Sequence, residues 1–401
     1  MSFPALKDIE EARQCLSTVV EETGLVYNKV FSDMTGGNIF LKTENLQKTG
    51  SFKLRGAYNR IAHLTEKERS NGVVASSAGN HAQGVALAAS SFGIKSTIVM
   101  PKHAPISKVT ATKSYGAEVV LHGNIYDEAY QKAREIQEET GATFIHPFDD
   151  PMVIAGQGTI GLEILDDMPD VDIVIAPIGG GGLISGLAIA LKSIRPNIRV
   201  IGVQAANAPS MYESFKSGKM NIVDCIPSIA DGISVKVPGN LTYEVIKKYV
   251  DDIVLVGEDE IAEAILLLME KAKVVSEGAG AVPVAALLNG KINIKGKKVA
   301  AVISGGNIDV NILAQVMDRG LIRQGRKLMI STMMPDKPGT LCRMVELIAA
   351  EGANILSILH DRLALDVPIG YAKVEVVLET SDEEHGMRII KRLLESGYKV
   401  N

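Results

Sequence analysis

Apolar and polar positions change their rhythm along this 401-residue chain. Residues 8 to 22 place apolar side chains at helical spacing, and Ile39 to Thr43 reads as a short strand. From there short apolar runs alternate with amphipathic ones. Gly72 to Ala75 predicts a strand and Gly79 to Phe92 a helix; Ser96 to Met100 is followed by a helix from Ser107 to Tyr115, and Glu118 to Leu121 by one from Tyr126 to Thr140. Strands apolar at every position, each followed by a helix, predict a parallel sheet covered on both faces. Residues 45–145 are therefore expected to form a small α/β domain. A second run starts near Thr143, with strands Asp172 to Pro177, Arg199 to Gln204, Ile253 to Val256 and Lys298 to Ile303. Helices are expected over Leu183 to Ser193, Asp259 to Lys273 and Gly280 to Leu288, with an irregular loop from Ala205 to Pro238. Residues 1–44 and 146–322 are assigned to this larger parallel α/β domain.

The rhythm changes again after a basic, glycine-containing linker at 323–326. Lys327 to Met334 predicts a strand, Thr340 to Glu351 an amphipathic helix stopped by Gly352, and Asn354 to His360 and Ile369 to Glu379 paired strands. Ser381-Asp382-Glu383-Glu384 reads as a capping box opening a helix to Ser396, and Tyr398 to Val400 ends the chain. This βαββαβ order makes 327–401 a separate α+β domain.

Composition narrows the function classes. Apolar residues at 46%, charged residues at 22% and a mean hydropathy of +0.15 describe a globular protein. No apolar run reaches membrane-spanning length, and MSFPALKDIEEARQ carries acids where a signal peptide needs an apolar stretch. Cys15, Cys225 and Cys342 give neither a disulfide framework nor metal-ligand spacing, and the seven histidines are dispersed. These features place the protein in the cytosol without a catalytic metal. A net charge of −5 with no basic cluster argues against nucleic acid.

Candidate chemistry centres on Ser51-Phe52-Lys53-Leu54-Arg55-Gly56-Ala57. Ser51 is expected to cap a helix opening at Phe52, which puts Lys53 in its first turn beside an aromatic ring. The positive end of a helix and desolvation both favour a neutral amine. Such an amine can hold an aldehyde cofactor covalently. Ser76-Ser77-Ala78-Gly79-Asn80-His81-Ala82-Gln83-Gly84, between a strand end and a helix start, offers backbone amides and the side chains of Ser77, Asn80 and His81 to an anion. Gly179-Gly180-Gly181-Gly182 before Leu183 can fold its amides around a dianion. It matches neither the dinucleotide nor the nucleoside triphosphate pattern. Ser304-Gly305-Gly306-Asn307 sets a small hydroxyl at a strand's carboxyl end. An amine, an anion pocket, a phosphate nest and this hydroxyl together fit pyridoxal phosphate.

These four motifs, in this order, resemble the threonine and serine ammonia-lyases, fold-type II pyridoxal phosphate enzymes related to the β chain of tryptophan synthase, over residues 5 to 322. The resemblance implies that Lys53 holds the cofactor, that Phe52 leans on its ring and that Asn80 bonds the ring's 3-hydroxyl. It further implies Gly179 to Gly182 with Leu183 at the phosphate, Ser304 at the pyridine nitrogen, and Ser77, Ala78, Gly79, Asn80 and His81 around the substrate carboxylate. The expected reaction removes water and then ammonia from L-threonine, with L-serine as a second substrate. Serine racemases are similar, but they have a serine acid/base where this chain has Ala78, and acids of a metal site where it has Gln204 and Ser210. An amino-acid sensor with an inactive catalytic half is the non-enzymatic alternative. The tail resembles an ACT domain through Asp336-Lys337-Pro338-Gly339-Thr340-Leu341 and Asn354-Ile355. Asp336, Pro338, Gly339 and Asn354 are therefore candidate effector contacts for isoleucine, valine, AMP or ADP. One such unit suggests the degradative type, and the resemblance implies a homodimer or homotetramer.

Overall fold

The computed structural model describes residues 3–400, so residues 1, 2 and 401, at the ends of the expected first and last domains, lie outside the described residues. The chain divides into two compact units between Leu313 and Ala314. That division falls inside a helix, Val310–Arg323, which occupies much of what sequence alone assigned to the end of the large domain and its linker.

The first unit holds two sheets. The larger has six strands in the order Leu25–Tyr27, Asn38–Lys42, Lys298–Val302, Ile173–Pro177, Arg199–Ala205 and Asp252–Val256, all parallel neighbours except the first pair. The smaller runs Glu118–Leu121, Ser96–Met100, Val73–Ser76 and Thr143–Phe144, all parallel. Strand Thr143–Phe144 thus completes the small sheet instead of opening the large one. Each sheet has one point where strand order reverses. In the small sheet the chain moves outward from Val73–Ser76 and returns to its other side with Thr143–Phe144; in the large sheet Ile173–Pro177 and Lys298–Val302 are related in the same way. Loops at such reversals diverge and leave a crevice beyond the carboxyl ends of the strands.

Two helices join the lobes. One is Lys53–Ala62, the lysine helix; the other, Pro151–Asp167, is buried along its whole length from Val153 to Leu165 and was not read from the pattern. Burial on every side erases the polar stripe that marks a surface helix. Its start was legible, however, in Asp150 as cap and Pro151 at the first helical position: the Asp150 carboxylate accepts the amides of Met152 and Val153 at 2.8 and 3.1 Å. The two helices cross at Gly56 and Gly156. A β-carbon on Gly56 would lie 2.7 Å from the Val153 carbonyl oxygen, and one on Gly156 would lie 2.7 Å from the Gly56 Cα. Only glycine permits this approach.

Several expected boundaries moved for identifiable reasons. The first helix stops at Leu16, short of 22, before the β-branched Thr18-Val19-Val20. The expected loop 205–238 contains a helix, Ser210–Ser217, and further helices cover Asn240–Tyr249 and Val310–Arg323. Ser51 does not cap the lysine helix. It is buried in an extended pairing with Gly305, and Phe52 occupies the cap position with its amide on the Ser304 carbonyl at 3.1 Å. Backbone pairing to the neighbouring strand end replaced the local side-chain bond.

A buried ion cluster fixes the lysine helix. Arg55 is wholly enclosed, with Nε and Nη2 donating to the Glu44 carboxylate at 2.8 Å each and Nη2 to Glu163 Oε2 at 2.9 Å. Nη1 reaches Glu163 and the Thr159 hydroxyl, and the buried Lys42 pairs with Glu163 at 2.6 Å. Two cations face two carboxylates, so the charge closes within the cluster.

The second unit is a three-stranded antiparallel sheet in the order Lys327–Pro335, Tyr371–Glu379, Asn354–Asp361, extended by a single bridge between Thr332 and Val400. Helices Thr340–Ala350 and Glu383–Glu395 pack a core of Ile330, Met344, Ile348, Val376 and Leu393. Asp382, not Ser381, caps the latter helix, accepting the His385 amide at 2.8 Å.

Replacing Arg55 with Met strands two buried carboxylates beside Lys42. Equilibrium denaturant unfolding of Arg55→Met is expected to show a loss of about 3–5 kcal/mol; a loss under about 1 kcal/mol means the cluster is not closed as described.

Candidate active site

The loops at the two strand-order reversals converge on Lys53. Its Nζ donates to the Pro147 carbonyl at 2.7 Å, in the loop that follows strand Thr143–Phe144, and lies 5.3 Å from the centroid of the Phe52 ring. Lys53 is half-buried, and desolvation of its amine lowers the pKa to about 8, against an opposing pull from Glu277. An amine in that range is partly neutral at physiological pH.

The other half of that loop supports the glycine run. Phe148 fills the space beside Gly180, where a β-carbon would come within 2.4 Å of its ring, and beside Gly182, where one would lie 3.0 Å from its Cα. On Gly179 a β-carbon would lie 3.0 Å from the Ile233 Cα, and Gly181 has φ of +97°. The run is thus a bare backbone strip at the start of helix Gly182–Ile194, with Leu183 buried in its first turn. Thr242 Oγ1 donates to the Gly180 carbonyl at 2.6 Å, and the Asp149 carboxylate gathers the amides of Asn240, Leu241 and Thr242 at 3.0, 2.9 and 3.1 Å. Polar groups outside the strip therefore hold its shape, which leaves its amides for an anion.

Ser77, Ala78, Gly79 and Asn80 follow strand Val73–Ser76 and lead into helix Asn80–Ser91. Ser77 Oγ accepts the Gly79 amide at 3.2 Å. Asn80 Nδ2 donates to Glu277 Oε1 at 2.7 Å, and its Oδ1 accepts from Asn307 Nδ2 at 2.8 Å. His81 departs from expectation. Its buried ring donates through Nε2 to the Ile145 carbonyl at 2.9 Å, and burial lowers its pKa to about 3. A neutral ring with Nε2 as donor has a bare Nδ1, so it has no hydrogen to give a carboxylate. The expectation of a side-chain donor at His81 is corrected: the ring spends its one hydrogen on the Ile145 carbonyl. Ser304 is buried at the end of strand Lys298–Val302.

Glu277 was passed over by the sequence reading. Burial raises its pKa to about 7, with Asp231 adding to the effect and Asn80, Lys108 and Lys53 opposing it. The signal was present as the small-residue run Gly278-Ala279-Gly280-Ala281 behind it, a mark of close backbone approach. Gln204 and Ser210 are bonded within the protein: Gln204 Oε1 accepts the Tyr212 amide at 2.9 Å and Ser210 Oγ donates to the Val235 carbonyl at 2.5 Å. In the second unit, Asp336 pairs with Arg362 at 2.8 Å, Pro338 and Gly339 form the exposed turn before helix Thr340–Ala350, and Asn354 Nδ2 donates to Glu379 at 3.3 Å.

Residues 16–305 match the model of the family described as pyridoxal-phosphate dependent enzyme. The chain belongs to that family. The donor set fits the family's cofactor: a desolvated amine for the aldehyde and, for the phosphate, a run of amides whose close packing leaves no room for side chains. The chain is similar to the L-threonine ammonia-lyase of Thermotoga maritima, 60% identical over 395 residues and 98% of each chain. It is also 54% identical to the catabolic L-threonine dehydratase of Escherichia coli, over 78% of this chain and 95% of that one. Among solved structures, maize serine racemase superposes with a TM-score of 0.76 at 37% identity, covering 80% of this chain and 99% of that one. Among the described residues, no helix is long and apolar enough to cross a membrane.

The depressed Lys53 pKa has a stability consequence of definite sign. Between about 8 and 10.5 the unfolded chain holds a proton that the folded one has released, so folding stability rises with pH across that window. Below it the full cost of a buried ammonium is present. Cofactor-free Lys53→Met protein is expected to be more stable than the parent at pH 7 and to lose that advantage between pH 8 and 10.5, as read by denaturant unfolding; an advantage that does not change with pH contradicts a desolvated amine.

Proposed function

We propose that this protein is an L-threonine ammonia-lyase that converts L-threonine to 2-oxobutanoate and ammonia, and L-serine to pyruvate as a second activity. The observation that carries this reading is the desolvated Lys53 amine, hydrogen-bonded to Pro147 next to Phe148, whose side chain packs against the glycine run. The relatives named threonine ammonia-lyase and threonine dehydratase support it.

Lys53 would hold the cofactor's aldehyde, with Phe52 against the ring, Asn80 at the ring hydroxyl, the amides of Gly179 to Leu183 on the phosphate and Ser304 at the pyridine nitrogen. When bound, the cofactor supplies an electron sink for the pair left on the substrate's Cα. The chain's own residues do the rest. Ser77 and the first-turn amides of Asn80 and His81 take the substrate carboxylate, which orients the Cα–H bond toward Lys53. Released Lys53, neutral in a useful fraction near pH 8, accepts the Cα proton. The β-hydroxyl departs as water, and one water is consumed when the carbon–nitrogen bond is hydrolysed, so threonine yields 2-oxobutanoate and ammonia without net water. Ser304 offers a hydroxyl and no carboxylate, which does not enforce a protonated pyridine and suits elimination. Ala78 has no proton to deliver from the opposite face, which weighs against racemisation despite the similarity to serine racemase.

The second unit is, in this reading, an ACT-like regulatory domain over 327–401, with Asp336, Pro338, Gly339 and Asn354 as effector contacts. Its antiparallel sheet flanked by two helices and the positive φ of Gly339 (+88°) support this. The catabolic relative favours the degradative role, and a homodimer or homotetramer is the proposed assembly.

Lys53→Ala is expected to abolish 2-oxobutanoate formation from threonine together with the near-visible absorbance of bound cofactor; a variant that keeps both sinks the assignment. Removing 327–401 is expected to abolish any response of threonine turnover to isoleucine, valine, AMP or ADP. Unchanged regulation and an unchanged number of subunits by light scattering in the truncated protein would exclude a regulatory tail.

A further inference from the structure

The site holds a buried acid that none of these roles uses. Glu277, 5% exposed, stands at the cap position of helix Gly278–Leu288, yet its side chain makes no capping bond. It turns instead to Asn80, accepting Nδ2 at 2.7 Å. The hydrogen bonds behind Asn80 have a fixed direction. Asn307 Nδ2 donates both to the Thr49 carbonyl at 2.7 Å and to Asn80 Oδ1 at 2.8 Å. A backbone carbonyl only accepts, so the nitrogen end of Asn307 must face Thr49. Asn80 then presents its oxygen to Asn307 and its nitrogen to Glu277. One hydrogen of that nitrogen is used by Glu277; the other has no partner among the described residues.

The backbone is shaped around this pair. A β-carbon on Gly305 would lie 2.4 Å from Glu277 Oε1 and 3.1 Å from Asn80 Nδ2, and the Glu277 amide donates to the Gly305 carbonyl at 3.1 Å. Lys108 and Asp231, the other charges bearing on Glu277 besides Lys53, are bridged to each other at 2.8 Å. Asn80 is thus the only hydrogen-bond donor to the Glu277 side chain among the described residues.

We propose that Glu277 is a positioning residue: its carboxyl oxygen pins the Asn80 amide so that a single N–H remains for the cofactor's ring oxygen. This rests on the lyase reading, in which Asn80 meets that oxygen. Reach and acceptance matter here, and charge does not, because a protonated carboxyl still accepts through its carbonyl oxygen.

Two variants separate reach from charge. Glu277→Gln keeps the length and the acceptor but has no charge; Glu277→Asp keeps the charge and falls one methylene short. The full-length protein is stripped of cofactor and titrated with pyridoxal 5′-phosphate, with the absorbance of the bound form followed. Glu277→Gln is expected to bind within about 3-fold of the parent with an unchanged absorption maximum. Glu277→Asp is expected to bind at least about 10-fold more weakly with a shifted maximum, the loss of one charge-assisted or buried hydrogen bond. Thermal unfolding of the cofactor-free proteins checks that all three are folded at the titration temperature. Any other order overturns the proposal: Asp retained and Gln lost, all three alike, or both lost. A parent protein that develops no near-visible band overturns the lyase reading, and this inference with it, before any variant is compared.

Discussion

A guanidinium taken wholly out of water is tolerable only if every face of it is matched, and the first unit is arranged to match one. Arg55 engages Glu44 from the strand-end turn on one side and Glu163 and Thr159 from the buried helix on the other, while Lys42 balances the second carboxylate. Breaking such a cluster leaves uncompensated charge, so the elements that contribute to it cannot shift independently. Lys53 lies two residues earlier on the same helix. Its position is thereby inherited from a cluster that takes no part in chemistry.

What the helix supplies as position, the loops supply as environment. Pro147 takes the amine's hydrogen bond, Phe148 occupies the space that side chains on Gly180 and Gly182 would need, and Asp149 ties the same loop to the start of helix Asn240–Tyr249. Five residues, His146 to Asp150, thus couple the amine, the amide strip and two helix starts. His146 Nδ1 accepts the Phe148 and Asp149 amides at 3.3 and 2.8 Å, and burial lowers its pKa to about 4, so the ring stays an acceptor across the neutral range. The loop's shape is therefore held by a group that does not titrate near neutral pH.

Close backbone packing carries the same logic into the core. The crossing at Gly56 and Gly156 brings the lysine helix and the buried helix nearer than any side chain allows, and a β-carbon on Gly84 would lie 3.1 Å from the Lys53 carbonyl. Neighbours this close resist repacking, because an added methyl has nowhere to go. The lysine is held from below by charge and from the sides by backbone.

Much of this was legible in the chain. Alternation of short apolar strands with amphipathic helices gave the parallel α/β class, and glycine and small polar residues at strand ends marked Lys53, Asn80, Gly179 to Gly182 and Ser304, because local chemistry at a strand-to-helix turn depends on neighbours in sequence. The helix Pro151–Asp167 escaped because complete burial removes periodicity, and Ser51 was misread because its backbone pairs with Gly305, a partner far away in sequence. Which hydrogens remain free was also beyond the sequence. His81 spends its donor on Ile145, and Asn80 is oriented by a run of bonds from Thr49 through Asn307 to Glu277. The sequence alone determined which functional groups the protein owns and the turns that display them. Only the tertiary structure decided their protonation and direction, since desolvation and hydrogen-bond partners come from residues brought together by the fold.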